Sequence, residues 1–295
     1  MRKFLKSVVP ESVLRKLRAR LVQRNRRDIA RAKRRGGLLL EPVNNVEHYF
    51  HFLLDLCLPL HSALQASGDD ARFALREIGV FTERLPMLFP GRVEILGRND
   101  DANGWIRRPL VGMNPIFTPI DPPELESFSR HVLNTLNIET AGPPTKILLI
   151  ERLPPEGYFV TQATKKGGGA SRRSIPNHQE FAAALADFVQ APFQFQNVQM
   201  EQLSFSEQVQ LFHEAALVIG QHGAGLANSI WMQPDTTVIE LGNIPKLVHF
   251  RILCRVGGQG YHIYPTAGAH TAIDIDDFTS WLSHHDDLRP MLSPR

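Results

Sequence analysis

The sequence predicts an α/β protein of two domains preceded by a basic N-terminal helix. Short apolar runs bounded by Gly and Pro alternate with amphipathic segments of helical period, which is typical of α/β folds. A unit of strand, glycine turn, helix and strand lies between Ala216 and Leu241. With 295 residues, 43% of them hydrophobic and 21% charged, the chain is long enough for two small cores.

Residues 1–37 form a strongly basic segment. They contain fourteen Lys or Arg and two acids, a net charge of +12, whereas the rest has 19 bases against 28 acids, a net charge of −9. An apolar stripe at helical spacing predicts an amphipathic helix and consists of Val13, Leu14, Leu17, Leu21 and Val22. Either the helix packs its stripe on the body, or it attaches the protein to an anionic membrane surface. Nucleic acid is disfavoured, because no aromatic residue follows Phe4 in the segment.

No run of 18 apolar residues exists, and Pro10 and Glu11 interrupt the first apolar stretch. Neither a transmembrane helix nor a signal peptide is therefore expected, and the expected location is the cytoplasm. Cys57 and Cys254 lie far apart in apolar surroundings, which indicates core thiols and not a disulfide.

The first domain is expected to span residues 38–142 and begins with a strand at Leu38–Leu40. The apolar density from Val46 to Ala66 predicts a largely buried helix broken by Pro59.

His51 and Asp55 are four residues apart on that helix, so they share one face and can touch. A His paired with a carboxylate suits general-base catalysis. The alternative is a pair that only satisfies itself within the core.

Gly142–Pro144 predicts the domain boundary, and residues 143–273 form the second domain. It opens with a strand at Lys146–Ile150, and a cationic loop follows at Lys165–Arg173. Residues 274–295 are expected to form a closing helix and tail.

The second domain centres on the turn His222–Gly225, which has little side-chain bulk and follows the buried run Leu217–Ile219. Backbone N–H groups and a helix N-terminus would converge there on an anion, and Glu240 on the next strand would take ribose hydroxyls. The spacing is not G-x-G-x-x-G, which disfavours a nicotinamide or flavin. A turn that merely packs a helix against a strand is the structural alternative.

The stretch QHGAGLANSIWMQPDTTVIEL resembles the signature of glycosyltransferase family 61. The segment Leu203–Gln208 is similar to the family's approach to this motif. The block from Asn45 through His48 to Asp55 resembles its N-terminal motif, and the resemblance covers roughly residues 44–241.

The resemblance implies a GT-B-like fold, with two Rossmann-like domains facing a cleft and the donor on the C-terminal one. It implies an inverting transferase that moves a sugar from a nucleotide sugar to a hydroxyl of a glycan or lipid-linked acceptor in surface polysaccharide biosynthesis. The glycine turn, its helix N-terminus and Glu240 predict a UDP-linked donor. No Asp-x-Asp stands between a strand and a loop, so metal independence is expected. No cofactor other than this donor is expected. A non-catalytic nucleotide-binding scaffold is the first alternative, and a nicotinamide-dependent oxidoreductase is the next.

Residues are carried over where this chain matches the motifs. Asp55 and His51 are the expected catalytic pair. The expected nucleotide-sugar-binding residues are Arg152, Arg173, His222, Gly223, Ala224, Gly225, Leu226, Asn228 and Glu240. Pro176 before Asn177 departs from the family pattern and leaves the phosphate contact of Arg173 open. The run His284–Asp287 is expected to be solvated surface and not a metal site, because four consecutive residues cannot all converge on one ion.

Overall fold

The computed structural model describes residue 20 and residues 37–42, 45–67, 71–110, 120–139, 142–154, 169–242 and 248–293. The chain folds as two compact units, Met1–Asn137 and Ile138–Arg295. Each unit contains one parallel β-sheet with helices, which confirms the predicted α/β class. The predicted basic helix of residues 1–37 lies, apart from residues 20 and 37, outside the described residues.

The first unit is built on a four-stranded parallel sheet with the strand order β3-β2-β1-β4. Its strands are β1 (Leu38–Pro42), β2 (Phe73–Arg76), β3 (Val93–Leu96) and β4 (Ile106–Leu110). This is the order of the first four strands of a Rossmann fold, and its direction reverses between β1 and β4. Ligands of such sheets bind beyond the carboxyl ends of the strands at that reversal.

A continuous helical stretch follows β1. It consists of α1 (Tyr49–His51), a π-helical turn (Phe52–Cys57) and α2 (Leu58–Ser67). Later helices of this unit are α3 (Arg84–Leu88) and α4 (Pro122–Thr135). Asp121 precedes α4 and two prolines open it, as expected for a first turn that needs no N–H partners.

The prediction that Pro59 breaks this stretch is wrong. In the turn before it, the N–H of Leu58 donates to the carbonyl of Leu53, five residues back. Proline lacks an N–H and its ring clashes with the carbonyl four residues earlier in a regular α-helix. The wider π-helical turn changes the bonding pattern just where this clash would occur, so the helix continues through Pro59.

The second unit contains a five-stranded parallel sheet with the order β6-β5-β7-β8-β9. Its strands are β5 (Lys146–Glu151), β6 (Gln194–Gln199), β7 (Ala215–Gln221), β8 (Thr237–Leu241) and β9 (Gly260–Tyr264). Every residue of β7 and β8 is buried, as expected for central strands covered on both faces. Counted within the unit, the order is 2-1-3-4-5, so the reversal lies between β5 and β7.

Helices and 3₁₀-helices connect these strands, and a further helix follows the last strand. The connecting elements are α5 (Gly169–Arg172), α6 (His178–Phe188), the 3₁₀-helix Met200–Gln202, α7 (Phe205–His213), the 3₁₀-helix Ala224–Trp231 and α8 (His249–Gly257), and the last helix is α9 (Ile275–Leu282). Ser204 and Glu207 form a reciprocal capping box at the start of α7. Phe278 and Leu282 of α9 pack into the core of the second unit, so the predicted closing helix belongs to this unit.

Cys57 and Cys254 are buried and free, which confirms that they are core thiols. In the part of the chain that the structure describes, no helix combines the length and apolarity needed to cross a bilayer.

Candidate functional site

Three of the predicted binding residues meet at one edge of the second sheet. Arg152 directly follows β5, His222 directly follows β7, and Glu240 is the penultimate residue of β8. Because these strands are parallel neighbours, their carboxyl ends lie together. The reversal of strand order between β5 and β7 falls at the same place, which is the position where doubly wound sheets bind ligands.

Gly223 lets the guanidinium of Arg152 lie against the turn. A Cβ atom at position 223 would overlap Nη1 of Arg152 and would lie 3.1 Å from its Cζ. The backbone of Gly223 is extended, with φ of 177°, a conformation that any residue adopts. Space and not backbone conformation therefore requires glycine here. Arg152 in turn donates from Nη1 to the carbonyl oxygen of His222 at 3.3 Å.

Buried residues of the 3₁₀-helix after the turn fix its position. Leu226 is 1% exposed and Asn228 is fully buried. The side-chain amide of Asn228 donates to the carbonyl of Gly225 at 3.2 Å, and Trp231 Nε1 donates to Asn228 Oδ1 at 2.9 Å. Leu226 and Asn228 thus brace the turn, while Ala224 opens a helix whose first N–H groups have no intrahelical partner.

Arginine side chains gather at this edge and repel one another. Burial lowers the pKa of Arg152 to about 10, with repulsion from Arg173 and then Arg172 adding to the effect and Glu201 opposing it. Burial and the charge of Arg172 also lower the pKa of Arg173, whereas Glu240 opposes this shift. A pKa of about 10 still leaves the guanidinium of Arg152 charged at neutral pH. Such a cluster of like charges is stabilised by an anion bound among them.

Gln221, the last residue of β7, fixes the segment that carries Arg173. Its side-chain amide donates to the carbonyl of Ser174 at 3.2 Å and to that of Ala269 at 3.5 Å. Gln221 is 6% exposed, so these bonds replace water at a buried amide. The segment that carries Arg173 is thereby tied to the same sheet edge as Arg152, while a shared role in binding stays a prediction.

His222 is oriented by a buried carboxylate. Its Nδ1 lies 2.6 Å from Oε1 of Glu240, and the hydroxyl of Tyr261 donates to Oε2 of Glu240 at 2.7 Å. Glu240 is 2% exposed, and both of its oxygens are engaged. The sequence predicted a direct ribose contact for Glu240, whereas this geometry favours a role in orienting His222. The difference arises because Glu240 is buried and its second oxygen accepts from Tyr261 on β9.

In the first unit, His51 and Asp55 form the contact predicted from their spacing. Nδ1 of His51 lies 2.5 Å from Oδ2 of Asp55. The side chain of Asp55 is 1% exposed, whereas that of His51 is 31% exposed. The pair spans the junction between α1 and the π-helical turn, after the carboxyl end of β1. The buried carboxylate therefore orients an imidazole that is accessible to solvent, while their catalytic role stays a prediction.

Two other predicted features have different outcomes. Lys165 and Lys166 of the cationic loop lie outside the described residues. The side chains of the run His284–Asp287 have separate partners: the carbonyl of Ser280, the carbonyl of Trp281, Arg289 and His262. Among the residues that the structure describes, no group of three or more His, Cys, Asp or Glu is placed to hold a metal ion.

Tyr261 and Gln221 are site residues that sequence reasoning missed. Tyr261 carries no local signal, because its contact with Glu240 depends on the pairing of β9 with β8. Gln221 precedes the motif histidine directly, but nothing in the sequence indicates which carbonyls its amide holds.

The second unit is a doubly wound α/β domain with arginine side chains gathered at the switch point of its sheet. Residues 49–239 match the family model described as Glycosyltransferase 61. The chain belongs to the glycosyltransferase 61 family, as its sequence motifs indicated.

Individual proteins that this chain resembles in sequence are named as glycosyltransferases. The chain is 27% identical to the EGF domain-specific O-linked N-acetylglucosamine transferase of Gallus gallus over 173 residues, which cover 52% of this chain and 30% of that protein. It is 26% identical to the protein O-linked-mannose beta-1,4-N-acetylglucosaminyltransferase 2 of Takifugu rubripes over 148 residues, 48% of this chain and 24% of the relative. It is 33% identical to the beta-1,2-xylosyltransferase of Arabidopsis thaliana over 61 residues, 20% of this chain and 11% of the relative. The chain thus spans less than a third of the length of these relatives.

Proposed function

We propose that this protein is an inverting, metal-independent glycosyltransferase that moves a sugar from a UDP-linked donor to a hydroxyl of a glycan or lipid-linked acceptor. The observation that carries the proposal is the meeting of Arg152, Arg173 and His222 at the Gly223 turn, on the switch point of the second sheet. A diphosphate is negatively charged, and arginine side chains and helix N-termini bind such anions.

The donor site is proposed from charge and geometry together. Arg152 and Arg173 bind phosphate oxygens, because guanidinium groups keep their charge and form paired hydrogen bonds. Nε2 of His222 faces the ligand, since Nδ1 is engaged by Glu240. Backbone N–H groups of Ala224 and Gly225 complete the anion site. Two of the relatives are named as N-acetylglucosamine transferases, so UDP-N-acetylglucosamine is the first donor to test.

The acceptor is activated by Asp55 through His51 in this proposal. The base removes the proton of the acceptor hydroxyl, the hydroxyl oxygen forms a bond to the anomeric carbon, and the bond from that carbon to the phosphate oxygen breaks. The bonding pair leaves with UDP. Displacement from the face opposite the leaving group inverts the anomeric centre.

The cationic side chains also support the metal-independent part of the proposal. Charge that develops on the leaving diphosphate is met by Arg152, Arg173 and His222. Arg152 and His222 are already oriented, by the His222 carbonyl and by Glu240 respectively. The two parallel sheets supply the pair of Rossmann-like domains that a GT-B-type transferase needs, with the donor assigned to the second. Surface polysaccharide biosynthesis at the cytoplasmic face of a membrane is the proposed setting, with residues 1–37 as the attachment.

A donor screen tests this function. Thermal unfolding of the full chain is measured with UDP-, GDP- and CMP-sugars, each with and without EDTA, and release of nucleotide is followed with each ligand that stabilises. Stabilisation by UDP-sugars with slow donor hydrolysis in EDTA is the expected result. Stabilisation without hydrolysis or transfer to any acceptor would favour the non-catalytic scaffold, and stabilisation by none of the sugars would reject the proposal.

A further inference from the structure

We infer that Tyr261 is a positioning residue of the donor site, which acts on His222 through the carboxylate of Glu240. The inference rests on the proposed function, because it assigns a role in holding the group that binds the diphosphate. Tyr261 lies outside the sequence motif, on a strand 21 residues after Glu240, and only the sheet brings the two together.

The three side chains form one line across neighbouring strands. Glu240 pairs with Ile263 of β9, so Tyr261, two residues earlier, lies on the same face and diagonal to Glu240. On the other side, Glu240 pairs with Gly220 of β7, and His222 follows two residues later on the same face. Strand register therefore directs Tyr261 and His222 to the same carboxylate from opposite sides.

Burial fixes which atoms pair with each other in this line of hydrogen bonds. Glu240 is 2% exposed. The ring of Phe250 in α8, which is 3% exposed, packs beside His222 with 5.1 Å between the two ring centroids. Burial and the charge of Glu240 raise the pKa of Tyr261, so its hydroxyl stays protonated and donates to Oε2. Oε1 then accepts from Nδ1 of His222. This fixes which ring nitrogen of His222 is left for a ligand.

Loss of the Tyr261 hydroxyl would leave Oε2 of Glu240 buried without its donor. The carboxylate is expected to rotate or to draw water into the site, because a buried acceptor that lacks its donor is costly. Either change loosens the bond to Nδ1 of His222. The effect should appear in binding of the diphosphate, which contacts His222, and not in binding of the nucleoside.

Tyr261→Phe in the full chain tests the inference, with Tyr264→Phe as the matched control. Tyr264 is on the same strand and also donates to a carboxylate, Oδ2 of Asp277 at 2.6 Å, but its ring packs in the core away from His222. Calorimetry with UDP and with uridine is carried out on both variants. Tyr261→Phe is expected to weaken UDP binding about tenfold, a loss typical of one hydrogen bond to a charged group, and to leave uridine binding unchanged. Tyr264→Phe should change neither.

A double-mutant cycle separates positioning from general loss of structure. In the His222→Ala background, Tyr261→Phe should have almost no further effect on UDP affinity. Additive losses, or equal losses for UDP and uridine, would overturn the inference. If His222→Ala itself leaves UDP affinity unchanged, the proposed function fails. If His222→Ala weakens binding and Tyr261→Phe does not, only the inference fails.

Discussion

Gly223→Ala should disable the donor site without disturbing the fold. The added methyl would overlap Nη1 of Arg152, so the guanidinium must move away from the turn. The extended backbone at Gly223 accepts alanine, and therefore no backbone strain is added. The displaced Arg152 loses its bond to the His222 carbonyl and its proposed phosphate contact. Losing a charge-assisted hydrogen bond costs about 1.5–3 kcal/mol, or about 10- to 150-fold in the Kd for UDP.

Calorimetry with UDP on Gly223→Ala, Arg152→Ala and the double variant measures this effect. Because the methyl acts by displacing Arg152, the double variant should bind UDP no more weakly than Arg152→Ala alone. Circular dichroism and the Tm of Gly223→Ala should stay near those of the parent protein. Fully additive losses in the double variant, or unchanged UDP affinity in Gly223→Ala, would refute the reasoning from the Arg152 contact.

Three further predictions concern other parts of the chain. Asp55→Asn should lower turnover by at least about 10²-fold while donor affinity, measured by calorimetry, stays the same, since the pair is assigned to the acceptor. Burial, with repulsion from His131, lowers the pKa of His61 from 6.5 to about 4, so between these values the unfolded chain binds the proton and the folded chain does not. Stability should therefore fall by up to about 3 kcal/mol as the pH falls through this window, and urea unfolding should show a flatter pH dependence in His61→Gln. Residues 1–37, with a net charge of +12, should bind anionic vesicles reversibly at low salt, so the full chain should float with them and a chain that starts at Gly37 should not.

Each of these has an outcome that contradicts it. Near-normal turnover in Asp55→Asn would move the base elsewhere, with Glu47 and His48 next to test. Equal pH dependence in His61→Gln and the parent would show that another group controls acid stability. Equal flotation of the two chains, or none by the full chain at low salt, would leave residues 1–37 without a membrane role.

Local patterns predicted the elements that carry the site. The apolar run Leu217–Ile219 is part of β7, and the glycine turn follows it as predicted. The β-branched strand predicted after the turn is β8. The spacing of His51 and Asp55 predicted their contact, because residues four apart are neighbours even where the helix passes into a π-helical turn. Such features depend on residues close in sequence.

Features set by the sheet could not be predicted in the same way. Glu240 lies near the end of a strand that follows the turn, and this position predicted a carboxylate that takes ribose hydroxyls. Its burial follows from β9 pairing with β8, and from α8 packing beside His222. The contact between the Gly223 position and Arg152 likewise depends on β5 lying beside β7, although 70 residues separate Arg152 from His222. No pattern among residues close in sequence predicts such contacts.

The central claim is that Arg152 and His222 bind the diphosphate of a nucleotide sugar. Calorimetry of the parent protein, Arg152→Ala and His222→Ala with UDP and with uridine tests it most directly. The account predicts that the parent binds UDP more tightly than uridine, and that each substitution removes most of this difference while uridine affinity stays constant. Variants that keep the full preference for UDP, or that lose uridine binding to the same extent, would contradict it.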